Sequence, residues 1–221
     1  MELRDAVVTS VLTDGTEVDF RPIGPDDKPL LKQGMALLSP DSRRLRFMAP
    51  IENLSRSQLA YLTEIDHETH LAWGALVEGQ PVAVGRIVRV SGSPASAEVA
   101  ITVVDDWHRR GIGKVLVRLL AEIGRSIGIE RFVFDALPEN EGIMGLFEGF
   151  GASHRLRDGV VSGSFDIGAI EGASFIRGDL LELASVARTL RDSDRSRPIN
   201  LPEFNLPEFE GAEARTPPAR G

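Results

Sequence analysis

Cysteine is absent from this chain of 221 residues. No disulfide framework and no thiol nucleophile can be built from it, which fits a cytoplasmic setting. Lysine is nearly absent: Lys28, Lys32 and Lys114 are the only lysines among 25 cationic side chains. Two explanations stay open, a compositional bias of the genome or selection against self-modification in a protein that modifies lysines. No run of about 18 apolar residues occurs, so no membrane span is expected. The opening MELRDAVVTS carries charge too early for the apolar core of a secretory leader. Positive charge is also in deficit, at a net −8. The chain as a whole is therefore not drawn to nucleic acid or to an anionic membrane, and any anion it binds must be captured locally.

What is present suits one globular domain with appendages, with 42% hydrophobic and 26% charged residues. VVTSVLTDGTEVDFRPI predicts a hairpin turning at Asp14-Gly15. Three short helices follow, over GPDDKPLLKQGMALLS, SPDSRRLRF and LSRSQLAYLTEID. Ser39 or Asp41 caps the second and Ser55 the third. HLAWGALVEGQPVAVGRIVRV predicts two strands joined at Glu78-Gly79-Gln80, and AEVAITVV a further strand after a loop SGSPAS. From Gly111 the apolar period becomes helical, through Ile112, Val115, Leu116, Leu119, Leu120 and Ile123. RFVFDAL predicts a buried strand, NEGIMGLFEGFGA a short helix, VVSGSFDI the strand that closes the sheet, and LLELASVARTLRD an amphipathic helix. We expect a domain over 1–170, a C-terminal helical segment over 171–192, and a flexible Pro-rich acidic tail over 193–221. The tail repeats Leu-Pro-Glu-Phe, either as a docking segment or as an accidental duplication.

The most informative stretch is VVDDWHRRGIGKVLV. A strand runs through a short turn into a helix, which exposes backbone N–H groups at the helix N-terminus, a ready anion site. Gly111 and Gly113 let an anion approach without meeting a Cβ, and Arg109 and Arg110 add charge. A phosphorylated ligand is expected. A nucleoside-triphosphate loop is excluded, because Val115 stands where that motif needs a hydroxyl and no glycine lies five residues before Gly113. A dinucleotide fingerprint is excluded, because Leu116 stands where its third glycine belongs. Two glycines alone are equally compatible with a tight turn flanked by surface arginines.

In its wider context this stretch resembles the acetyl-CoA-binding segment of the GNAT acetyltransferases. LTDGTEVDFRPIGPDD, SPDSRRLRFM, LAYLTEIDHETHLAW and AEVAITV further resemble the acetyltransferase domain of bacterial Pat-type protein lysine acetyltransferases, over roughly residues 10–168. The resemblance implies an α/β (α+β) GNAT fold, a central mixed, mostly antiparallel sheet flanked by helices and splayed at the acetyl-CoA-binding strand. It implies acetyl-CoA as acetyl donor, held by His108, Arg109, Arg110, Gly111, Ile112, Gly113 and Lys114 and by backbone groups of Ile101, Thr102 and Val103, with Asn140 near the pantetheine arm. Asn140 equally suits the cap of the helix after it. His108 departs from the Gln or Arg usual at its position. Phe147 stands where many members carry a tyrosine that protonates the leaving thiolate.

Strand alternation puts Glu98, Ala100, Thr102 and Val104 on one face and Ala97, Val99, Ile101 and Val103 on the other. A carboxylate in so apolar a strand is costly unless paired or useful. Read from residues alone, Glu98 is equally an exposed strand end or the partner of Arg86 or Arg89. The resemblance implies that it is the general base. His67 and His70 have the spacing H-x-x-H but no evident further ligands, and no metal is expected. His154 reads as a strand residue. Asp66, His67 and Glu68 are expected to line an acceptor groove, and their acidity suits a protonated lysine with basic neighbours. The function expected is acetyl transfer to a protein lysine. A small-amine acetyltransferase and a non-catalytic acyl-CoA sensor remain as alternatives. Expected partners are acetyl-CoA and a protein or small-amine acceptor.

Overall fold

The computed structural model describes residues 7–170 and 176–177. A hairpin opens it, β1 (Val8–Val11) and β2 (Glu17–Pro22), turning through Asp14-Gly15. Three short helices follow: α1 (Lys28–Leu37), α2 (Pro40–Phe47) and α3 (Arg56–Thr63). Ser39 caps α2 by accepting from the Ser42 N–H, and Ser55 caps α3 in a reciprocal pair with Gln58. Strands β3 (His70–Val77), β4 (Gln80–Val90) and β5 (Ser93–Val103) form a meander. Helix α4 (Ile112–Ser126) then crosses to β6 (Arg131–Ala136), and α5 (Glu141–Glu148) leads into β7 (Ser153–Arg157) and β8 (Val160–Asp166). Last among the described residues is β9 (Ile176–Arg177), which pairs with β1.

One sheet takes in all of these strands, in the order β7-β8-β6-β5-β4-β3-β2-β1-β9. Every neighbouring pair is antiparallel except β5 and β6. A parallel pair needs a crossover connection, and α4 supplies it. Ile112, Val115, Leu116, Leu119, Leu120 and Ile123 of α4 are all buried, as the helical period predicts. They pack with Val99, Ile101, Phe132 and Phe134 on one face of the sheet. Burial of each such side chain is worth about 1.5–3 kcal/mol, so this face anchors the fold. On the other face lie Met35 and Leu38 from the α1 region with Val104, and Phe47 and Leu54 packed against them.

Four details differ from the sequence reading. The strand before the glycine turn begins at Ser93, because Gly92 at φ 75° makes a tight turn and leaves no loop. RFVFDAL is buried only at alternate positions, Phe132, Phe134 and Ala136, with Arg131 and Asp135 exposed. Val160–Asp166 does not close the sheet. It lies inside Ser153–Arg157, whose residues are all exposed and so show no apolar alternation. Finally, the sheet extends past residue 170 to Ile176–Arg177, while the helix expected from Leu180 and the tail lie outside the described residues.

Candidate active site

The register of β5 locates the site. Parallel pairing with β6 covers only Ser96, Ala97 and Glu98 and ends at Glu98↔Val133, while antiparallel pairing with β4 continues to Val103. The two strands part just beyond Glu98. Backbone alternation then decides which groups face the gap. The Val104 N–H bonds to the Val82 carbonyl, so Thr102 and Ala100, at the same phase, spend their backbone groups on β4. Val99, Ile101 and Val103 turn theirs toward the gap. Thr102, expected among the backbone ligands, therefore offers only its side chain. Of the outward groups, the Val103 carbonyl is taken by the His108 ring, whose Nε2–H donates to it at 2.8 Å. His108 thus fastens the end of the strand.

A cleft of about 740 Å³ opens along this gap. Its walls are β5, the loop from Asp105 to Gly111, the first turn of α4, the exposed side of α5 and, from α2, Ser42, Leu45 and Arg46. Gly111 sits at the N-cap of α4 at φ 95°, a backbone region that penalises any Cβ. A Cβ on Gly113 would lie 3.2 Å from Leu146 Cδ2, so that glycine lets α4 and α5 approach. The first amides of α4 have no intrahelical acceptor and open onto the cleft. Arg109, at φ 59°, and Lys114 line it. Arg110 does not. Its guanidinium lies 4.6 Å from the centre of the Trp107 ring and 3.6 Å from Asp14, tying the loop to the first hairpin.

Asn140 lines the same cleft and caps α5, its side-chain oxygen accepting from the Ile143 N–H at 3.2 Å. Phe147 is fully buried against Phe134 and Phe165 and brings nothing to the cleft. Asp105 was not singled out from the sequence. It accepts from the Ser39 N–H at 3.0 Å and from the Ser39 and Ser42 hydroxyls, both at 2.8 Å. These bonds clasp α2 to the loop after β5. Burial pushes the Asp105 pKa up, but the serine donors outweigh it and hold it below the ordinary value.

Glu98 stands where the strands part and lines a second cleft of about 460 Å³, over β6, β8 and β7. Part of its side chain is open to solvent, yet desolvation by its surroundings raises its pKa above the ordinary glutamate value. Arg46 opposes the shift and Asp135 adds to it. The expected alternative partners are engaged elsewhere. Arg86 is buried, donating to the Leu62 carbonyl at 2.8 Å and to His70 Nε2. Arg89 lies across from Ala97, on the opposite face from Glu98, and donates to the Ile127 carbonyl at 3.0 Å.

His70 is buried under Tyr61, their ring centres 4.9 Å apart. Burial and then Arg86 push its pKa down to about 3, so it is a neutral acceptor for arginine. Asp66 spends its carboxylate on the N–H groups of Glu68, Thr69 and His70 and on the Thr69 hydroxyl. Neither of these two clefts has Asp66, His67 or Glu68, the expected acceptor-groove residues, in its lining. Among the described residues no three metal-ligating side chains cluster, and no helix is long and apolar enough to cross a membrane.

Residues 37–152 match the model of the acetyltransferase (GNAT) family. This chain belongs to that family. Acetyltransferase Pat of Mycolicibacterium smegmatis is 32% identical over 161 residues, 71% of this chain and 47% of that protein. An acetyltransferase of Pseudomonas aeruginosa is 32% identical over 124 residues, 54% of this chain and 66% of its own length. This GNAT chain thus spans about half of the first relative and just under two-thirds of the second. Among solved structures, the GNAT domain of S. lividans PAT superposes with a TM-score of 0.69 at 32% identity, covering 72% of this chain and 96% of that one. A cAMP-binding acyltransferase from Mycobacterium smegmatis shares the fold, with a TM-score of 0.60 at 24% identity over 84% of this chain and 54% of that one.

The long cleft fits a coenzyme A arm on three counts. Unpaired helix amides with Arg109 and Lys114 suit a pyrophosphate. The outward backbone of Ile101 and the Val103 N–H suit the amides of a pantetheine. Ile143 and Leu146 give the arm an apolar wall.

Proposed function

We propose that this GNAT chain is an acetyl-CoA-dependent N-acetyltransferase that acts on lysine side chains of proteins, with Glu98 as general base. The observation that carries the reading is the place of Glu98. It stands where β5 and β6 part, with the coenzyme-sized cleft beyond it along β5 and the second cleft beside it.

Bound acetyl-CoA would supply the thioester. The α4 amides from Ile112 to Lys114 hold its pyrophosphate, and Ile101 and Val103 hold its arm in line with the strand. An outward N–H of β5 donates to the thioester carbonyl oxygen and favours the charge that develops there. A lysine ammonium, with a pKa of about 10.4, is mostly protonated at neutral pH and must lose a proton before it can attack. Glu98 takes that proton, directly or through a water, and its raised pKa improves it as a base. The bond made joins the amine nitrogen to the acetyl carbon, and the bond broken is C–S. The second amine proton ends on sulfur. No hydroxyl at position 147 assists that transfer, and a thiol with a pKa of about 8.5 leaves without one.

Incubating the protein with labelled acetyl-CoA, and separately with a protein mixture and with a panel of polyamines, aminoglycosides and amino acids, tests the acceptor. We expect site-selective labelling of protein lysines that Glu98→Gln abolishes. Efficient turnover of one small amine, with no Glu98-dependent protein labelling, overturns the reading.

A further inference from the structure

Helices α1–α3 cover the Glu98 face of the sheet over its β4 and β5 portion. Beyond β5 no described helix covers that face, and it forms the second cleft. Across it runs a row of directly paired residues: Asp135 on β6 opposite Ser162 on β8, and Ser162 opposite Arg155 on β7. The Ser162 hydroxyl donates to Asp135 Oδ1 at 2.6 Å, which fixes the carboxylate and leaves its second oxygen without a hydrogen bond among the described residues. Arg157 lies two residues from Arg155 on the same side of β7 and also lines the cleft. Neither arginine forms an ion pair among the described residues. The cleft is therefore negative at its inner end, at Glu98 and Asp135, and positive at its outer edge.

We propose that this cleft is the acceptor subsite and that it selects lysines with an acidic neighbour in sequence, Asp135 receiving the ammonium beside Glu98 and Arg155 and Arg157 receiving the acidic side chain. The proposal rests on the reading of the chain as a lysine acetyltransferase. Strands lie about 4.8 Å apart, so Arg155 is about 10 Å across the sheet from Asp135. An extended peptide rises about 3.3 Å per residue, which puts the acidic residue about three positions from the lysine. This reverses the expectation of basic neighbours, which rested on Asp66 and Glu68.

The test uses the full chain and blocked peptides with one lysine and, three residues away on either flank, a glutamate, a glutamine or an arginine. We expect kcat/KM to be at least about tenfold higher for the better glutamate peptide than for its arginine counterpart, about 1.4 kcal/mol in discrimination. The double variant Arg155→Glu, Arg157→Glu, changed only at exposed positions, should invert that order. Asp135→Asn should raise KM for peptide more than it lowers kcat, with acetyl-CoA affinity kept. Equal turnover of the glutamate, glutamine and arginine peptides on both flanks, or a preference that the double variant leaves unchanged, overturns the subsite and leaves the lysine reading standing. No turnover of any peptide, with acetyl-CoA still bound, overturns both.

Discussion

Glu98 stands under opposed influences, and they can be separated. Desolvation raises its pKa, Arg46 lowers it and Asp135 raises it. As a base it is active when ionised, so kcat/KM should climb with pH through an inflection above the ordinary glutamate range. Removing the cation by Arg46→Met should move that inflection to higher pH, and removing the neighbouring anion by Asp135→Asn should move it lower. A pH–rate profile of the three proteins measures this. Shifts in the same direction for both variants would remove Glu98 from the step. The sign for stability runs the other way from a salt-bridged acid. A carboxyl whose folded pKa is raised lends stability that is fully present below its unfolded value and is lost as pH rises through the folded one. At neutral pH Glu98 therefore gives up some stability at the place where chemistry needs a base.

Among the elements, the first turn of α4 has the most to do with so few side chains. Gly113→Asp would put charge at the phosphate but also push on Leu146, 3.2 Å from the new Cβ. Lys114→Glu separates the two effects. Lys114 is exposed in the first helical turn, where an acid is favourable for the helix by about 0.3–1 kcal/mol. The melting temperature should hold or rise while acetyl-CoA affinity, read by calorimetry, falls. Unchanged affinity would remove this turn from the phosphate site. The turn was legible in the sequence because its signals are local: a helical period beginning at Ile112, and glycines immediately before and after it. Glu98 was legible as a charge in an apolar strand, and its proposed role as base only through the family resemblance. Arg46 and Asp135 were not legible, because helix packing and strand pairing bring them to the site from distant segments, and Asp105, though inside the glycine stretch, meets Ser39 and Ser42 only in the fold. Asp66 and Glu68 read as an acidic patch, yet the Asp66 carboxylate is consumed by the backbone of its own loop. Arg110 read as a phosphate ligand, but Trp107 and Asp14 hold it aside.

At the scale of the molecule, the fold sets a parting of two strands between two clefts. β4 holds β5 along its whole length while β6 releases it after Glu98. α4 and α5 wall the cleft proposed for the coenzyme, and the part of the opposite face that no described helix covers is the one proposed for an acceptor. The central claim is that proton removal occurs at that parting. It is tested most directly by steady-state kinetics of Glu98→Gln with acetyl-CoA and a lysine acceptor across pH, alongside acetyl-CoA affinity measured by calorimetry. General-base catalysis is worth about 10²–10⁴-fold, so kcat should fall by that factor at neutral pH, the rising limb of the pH profile should disappear, and the affinity should stay unchanged. Wild-type turnover by Glu98→Gln at neutral pH, with the rising limb intact, would contradict the account.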